Sequence, residues 1–178
     1  MKYNKKVTKY STGSKFFHWL IFIIVTLMLS GSFFLDDLPK SYQGTAFMIH
    51  KSFGLTILFL MLARMLWIIH SGKPSLPATV SRWDKILSRI VQYSLYLFLI
   101  AQSLSGWIMS VAANKVPSFF GLYNVPLPIQ PNKILAGFMD NTHKLIPWIL
   151  IGLIVLHIAG ALKHHFIDKD NVLKSMLS

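Results

Sequence analysis

His143-KLIPWILIGLIVL-His157-IAGALK-His164-His165 is the stretch that decides what kind of protein this is. Such a long apolar run reads as a membrane span. It nevertheless carries four of the chain's seven histidines, inside it or at its ends. Ionisable side chains within a span are costly and mark functional sites. His143 and His157 are 14 residues apart, about 40° short of four helical turns and ~21 Å along the axis. They look out from one side of the helix at two depths, as a helix giving one ligand to each of two stacked cofactors must. Neutral imidazole suits a buried iron because it binds metal without adding charge. A lone histidine here would as readily bond to a neighbouring helix. Two on one face, with candidate partners elsewhere, favour the ligand reading.

Composition agrees with a membrane protein. Of 178 residues, 53% are hydrophobic and 13% charged, too apolar a balance for an ordinary soluble domain. The net charge of +12 would suggest nucleic acid, but the basic residues cluster between apolar runs, which points to topology instead. The absence of cysteine excludes disulfides, thiolate metal sites, iron–sulfur clusters and covalent c-type haem. The first span lacks a small-residue cleavage site and outruns a signal core, so it is expected to be retained.

Four spans are predicted, at approximately 16–35, 46–69, 86–111 and 142–166, in one all-α domain over residues 1–178: a four-transmembrane-helix bundle. His18-Trp19 opens the first span behind Lys2, Lys5, Lys6, Lys9 and Lys15. His50 and Lys51 open the second, which closes with Arg64, Trp67 and His70; Gly54 lies one turn beyond His50, on its face. That glycine would let a flat ring lie against the helix or simply allow close helix contact. The third span has no histidine. Its Ser103, Ser105 and Gly106 are small enough to face a bulky group, and it reads as packing support. A loop over 112–141 is expected to lie in the headgroup zone, where its aromatic residues are favoured.

Basic residues orient the chain. With the N-terminus inside, 13 fall on the cytoplasmic face, including the five N-terminal lysines, Arg64, Arg82, Arg89 and Lys163. Five (Lys40, Lys51, Lys115, Lys133 and Lys144) fall outside. Both termini are therefore expected in the cytoplasm. Alternating spans then place His50 beside His143 at the outer side and His18 beside His157 at the inner side. His164, ~31 Å from His143, competes with His157 on depth; His70 and His165 read as interfacial. Each pair offers two ligands, too few for structural or catalytic zinc, and no Asp or Glu lies within a span to add another. A porphyrin needs only two axial ligands, and filling both leaves electron transfer as its task.

The chain resembles the bacterial cytochrome b561 family, relatives of the b-type cytochrome subunit of nickel–iron hydrogenases. The resemblance rests on His18-Trp19, on His50-Lys51-Ser52-Phe53-Gly54 with Arg64 and Trp67, on His143-Lys144, and on Leu156 through Phe166 followed by Asp168. It implies two non-covalent haem b groups with His18, His50, His143 and His157 as axial iron ligands, which settles the choice against His164. It also implies quinone-linked redox chemistry in the bacterial inner membrane, with one branch resembling superoxide oxidases that reduce ubiquinone.

The leading expectation is thus a di-haem oxidoreductase between a periplasmic redox partner and the quinone pool. The electron donor, small molecule or protein, is not identified. Lys51, Lys115 or Lys144 would be placed to steer an anion such as superoxide, although each taken singly reads as an ordinary interfacial lysine. Lys9, Lys15, Arg64, Arg82, His164 and His165 are inner-side candidates for a quinone headgroup, and Arg64 alternatively for haem propionates. A second expectation is a non-catalytic cytochrome b anchor and relay for a larger redox enzyme; a third is a haemless transporter using its histidines as a relay.

Overall fold

The computed structural model describes residues 9–74 and 80–177. Lys2, Lys5 and Lys6, and residues 75–79 of the loop after the second span, lie outside the described residues. The chain is an all-α membrane protein. Helices α1 (Thr12–Ser32), α2 (Lys40–Ser71), α3 (Arg82–Ala112) and α4 (Lys133–Phe166) are each long and apolar enough to cross a bilayer. A two-stranded hairpin (β1, Ser118–Phe119; β2, Tyr123–Asn124) and a short α5 (Lys174–Leu177) complete the described elements.

Local chemistry sets the helix ends. The Ser11 hydroxyl accepts from the Ser14 N–H at the start of α1, and that of Ser81 from the Asp84 N–H at the start of α3. Helix α4 starts at Lys133, well inside the expected 112–141 loop, because the Asn132 side chain accepts from the N–H groups of Ile134 and Leu135. A span is limited by bilayer thickness, whereas a helix runs to its caps. The apolar-rich turn at 133–141 simply extends beyond the hydrocarbon layer.

Packing is uneven around the bundle. Helix α4 lies along α3, α3 against α2, and α2 against α1, whereas α4 has no comparable packing with α1 or α2. Small buried residues on α3, among them Ser103, Ser105 and Ala112, permit its close approach. The space left between α4 and the α1–α2 pair is where the histidines face one another. Midway along it, Ile21, Val25, Ile57 and Met61 form an apolar core layer. Side chains such as Leu27, Leu66, Leu97 and Leu145 point outward, towards lipid.

The hairpin caps the His50 end of the bundle, the outer end in the expected orientation. Phe120 and Gly121 both have left-handed backbone (φ 49° and 75°), and the Leu122 N–H closes the turn on the Phe119 carbonyl. Two consecutive positive φ values make a primed turn that suits a hairpin. A phenylalanine is unfavourable there, and residues from α2 hold it. Ser52, fully buried, accepts from the Phe120 N–H at 2.8 Å and donates to the Met48 carbonyl at 2.8 Å. Phe53 meets the Phe120 ring edge-on. Ser52 and Phe53 of the His50–Gly54 motif thus pin the loop over the end of the bundle that holds His50.

Candidate functional site

Helix periodicity brings four histidines into two pairs. The rings of His50 (α2) and His143 (α4) stand 6.2 Å apart, centroid to centroid, and those of His18 (α1) and His157 (α4) 6.1 Å. An imidazole nitrogen binds a metal at ~2 Å and lies ~1.1 Å from its ring centroid, so two rings sharing one ion stand ~6.2 Å apart. Both pairs have that spacing, and all four rings are half-buried.

Around the outer pair lies a cavity of about 550 Å³, lined by His50, Gly54, Gln102, Gly106 and His143 among mainly apolar side chains. This is within the ~300–1,000 Å³ range of ligand sites. A Cβ added at Gly54 would meet nothing within 4 Å, so this glycine faces open space and does not serve helix contact. Spacing, cavity and donor chemistry fit an axially ligated porphyrin.

The outer site has a seat on α3, of which the sequence reading named Ser105 and Gly106 but missed Gln102. Pro147 lacks the N–H that would bond the carbonyl of His143, four residues back. Gln102 Nε2, from α3, donates to that freed carbonyl at 3.1 Å. His143 Nδ1 lies 3.0 Å from the Gln102 carbonyl and 3.1 Å from Ser105 Oγ. A carbonyl only accepts, so Nδ1 carries the proton and Nε2 is the lone-pair nitrogen a metal would use, which here accepts from Gln102 Nε2 at 3.3 Å. Gly106 completes the seat, for a Cβ there would come within 2.7 Å of the His143 ring. Helix α3 therefore does more than pack: it orients a candidate ligand. The signal was the Pro147–His143 spacing, together with a glutamine and small residues at one level of the third span. Gln102 Oε1, in the same cavity, is buried with no partner among the described residues.

The inner pair has different neighbours. Among the described residues, neither His18 nor His157 has a hydrogen bond to a ring nitrogen, and the charge of Arg64 acts on both. Arg64 is only 9% exposed, and its guanidinium donates to Tyr96 Oη and to the Ser14 carbonyl, each at 2.8 Å. No carboxylate pairs with it among the described residues. Just outside α1, burial pushes the Tyr10 phenol above its usual range while Arg64 opposes that shift.

The other candidates separate cleanly. His164 is engaged by carboxylates: its Nδ1 meets Asp170 at 2.7 Å and Asp168 at 3.2 Å. Lys163 bridges Asp168 and Asp84, tying α4 to α3. His70, Lys9 and Arg82 are exposed, and Lys15 and His165 half-buried. At the outer rim, Lys144 pairs with Asp140 at 2.7 Å, and Lys51 reaches the Lys115 carbonyl at 3.4 Å.

Residues 9–178 match the model of the prokaryotic cytochrome b561 family. The chain belongs to the cytochrome b561 family. It is 34% identical to cytochrome b561 homolog 2 of Escherichia coli K12 over 99% of this chain and 95% of that protein. Identity to the protein named "Probable superoxide oxidase CybB" of Yersinia pestis is 31%, over 95% of this chain and 96% of that protein. Cytochrome b561 homolog 1 of E. coli K12 is 26% identical, over 96% of this chain and 98% of that protein. This cytochrome b561 is therefore a multi-pass bacterial membrane protein of an electron-transfer family that implies haem b.

Proposed function

We propose that this cytochrome b561 holds two non-covalent haem b groups and carries electrons across the bacterial inner membrane between a periplasmic redox partner and the quinone pool. His50 and His143 are assigned to the outer group, His18 and His157 to the inner. The observation that carries this reading is the pair of His–His spacings, 6.2 and 6.1 Å, at two levels of the bundle. When bound, each haem would be held by its pair of histidines and would supply a one-electron couple. The chain orients the imidazoles, excludes water with the Ile21–Met61 layer between the levels, and closes the outer end with the hairpin.

Both termini are assigned to the cytoplasm on the 13-to-5 division of basic residues. Superoxide is the candidate outer donor by similarity to the probable superoxide oxidase of Yersinia pestis. Two superoxide anions would give two O2 and two electrons, which with two protons reduce a quinone to quinol. A relay role for a larger enzyme is supported by the exposed hairpin tip, where Leu122 is 79% and Tyr123 58% exposed. A pyridine haemochrome assay on the purified protein should give two extractable haems per chain. A value of one would refute the di-haem assignment. Mixing the reduced protein with a quinone, and the oxidised protein with superoxide, then tests acceptor and donor. Copurification of a soluble redox protein would favour the relay role.

A further inference from the structure

We infer that the two histidine levels are biased in opposite redox directions, the outer by the Gln102–Ser105 shell on His143 and the inner by Arg64, so that electrons run downhill from outside to inside. This rests on the di-haem reading and adds to it the residues that give the transfer its direction.

At the outer level, His143 Nδ1–H is held by the Gln102 carbonyl at 3.0 Å, with Ser105 Oγ at 3.1 Å. An acceptor on the far nitrogen makes an imidazole a more basic ligand. A more basic ligand stabilises the oxidised, more positive iron and lowers its potential. Formal charges around the outer cavity offset one another, since Asp36 and Asp140 line it together with Lys51 and Lys144.

At the inner level, among the described residues, no acceptor holds either imidazole and no carboxylate pairs with the buried Arg64. Arg64 follows His50 by 14 residues, the same interval that separates His143 from His157. Helices α2 and α4 run in the same direction, so that interval carries Arg64 ~21 Å inward, to the level of His157 and on the face of α2 that bears His50. A positive charge in a low-dielectric interior favours the state with one more electron, raising the potential. Both effects therefore point the same way. One electron leaves the outer site, which is oxidised, and the same electron reduces the inner one; no bond is made and no proton moves in this step.

The test is a spectroelectrochemical titration of the purified, haem-loaded protein and its variants. The wild type should show two low-spin waves at different potentials. His50→Ala should abolish the lower wave and His157→Ala the upper. Arg64→Gln should lower the upper wave while leaving the other in place, and Arg64→Lys should restore it. The inference is overturned if His50→Ala removes the upper wave, if the two waves coincide, or if Arg64→Gln moves both or neither. Should Arg64→Gln lose the inner haem altogether, the wave order and the Arg64→Lys potential still decide. A wild type with one low-spin wave and one haem would instead defeat the underlying di-haem reading.

Discussion

The outer and inner histidine pairs share their spacing and almost nothing else. His50–His143 and His18–His157 stand 6.2 and 6.1 Å apart. The outer pair is seated by a neighbouring helix: Gln102, Ser105 and Gly106 all address His143, and a hairpin pinned by Ser52 closes that end. The inner pair has no hydrogen-bonded seat among the described residues and instead a buried arginine, Arg64. Pair spacing follows from helix periodicity and bundle assembly, which treat both levels alike. Their surroundings depend on which third element reaches each level, and there the levels differ. Under the proposed assignment, two like ligand sets would be tuned apart without altering a ligand.

The largest effects should come from the ligands, which separate the two levels outright. His143→Ala and His157→Ala should each lower haem content towards one per chain, the first emptying the outer level and the second the inner. His164→Ala should keep two haems, because its imidazole is engaged by Asp170 and Asp168. Haemochrome assays and low-spin spectra of the three proteins, purified side by side, check this; loss of a haem from His164→Ala alone would invert the inner assignment.

A smaller effect is expected from Ser52→Ala. It leaves the Phe120 N–H unpaired at a strained turn, costing about 1–3 kcal/mol, and should speed proteolysis of the hairpin while sparing the inner spectrum. Thermal unfolding in detergent and timed digestion measure it. Gly106→Ala forces the His143 ring to yield to a new Cβ, which should broaden or shift only the outer spectral component, with a destabilisation of about 1–3 kcal/mol typical of overpacking. An equal change in both components would show that the levels are not independently seated. Smallest is Lys144→Met. It breaks an exposed pair with Asp140 worth less than ~1 kcal/mol, so unfolding should hardly move even though the charge balance at the outer rim is upset.

Four spans, the 14-residue interval between His143 and His157, and the opposing levels of His18 and His50 were all readable along the chain. They follow from a local rule, that a helix turns every 3.6 residues in a solvent layer of known thickness. Resemblance then favoured His157 over His164, and the structure places His157 opposite His18. The helix beginning at Lys133, the hairpin held by Ser52, and the role of Gln102 were not read. Each depends on contacts between elements far apart in sequence: 41 residues separate Gln102 from His143, and 68 separate Ser52 from Phe120. Pro147 shows the boundary between the two kinds of information. Its position dictates that the His143 carbonyl loses its helical partner, but only the packing of α3 on α4 decides that Gln102 takes that place.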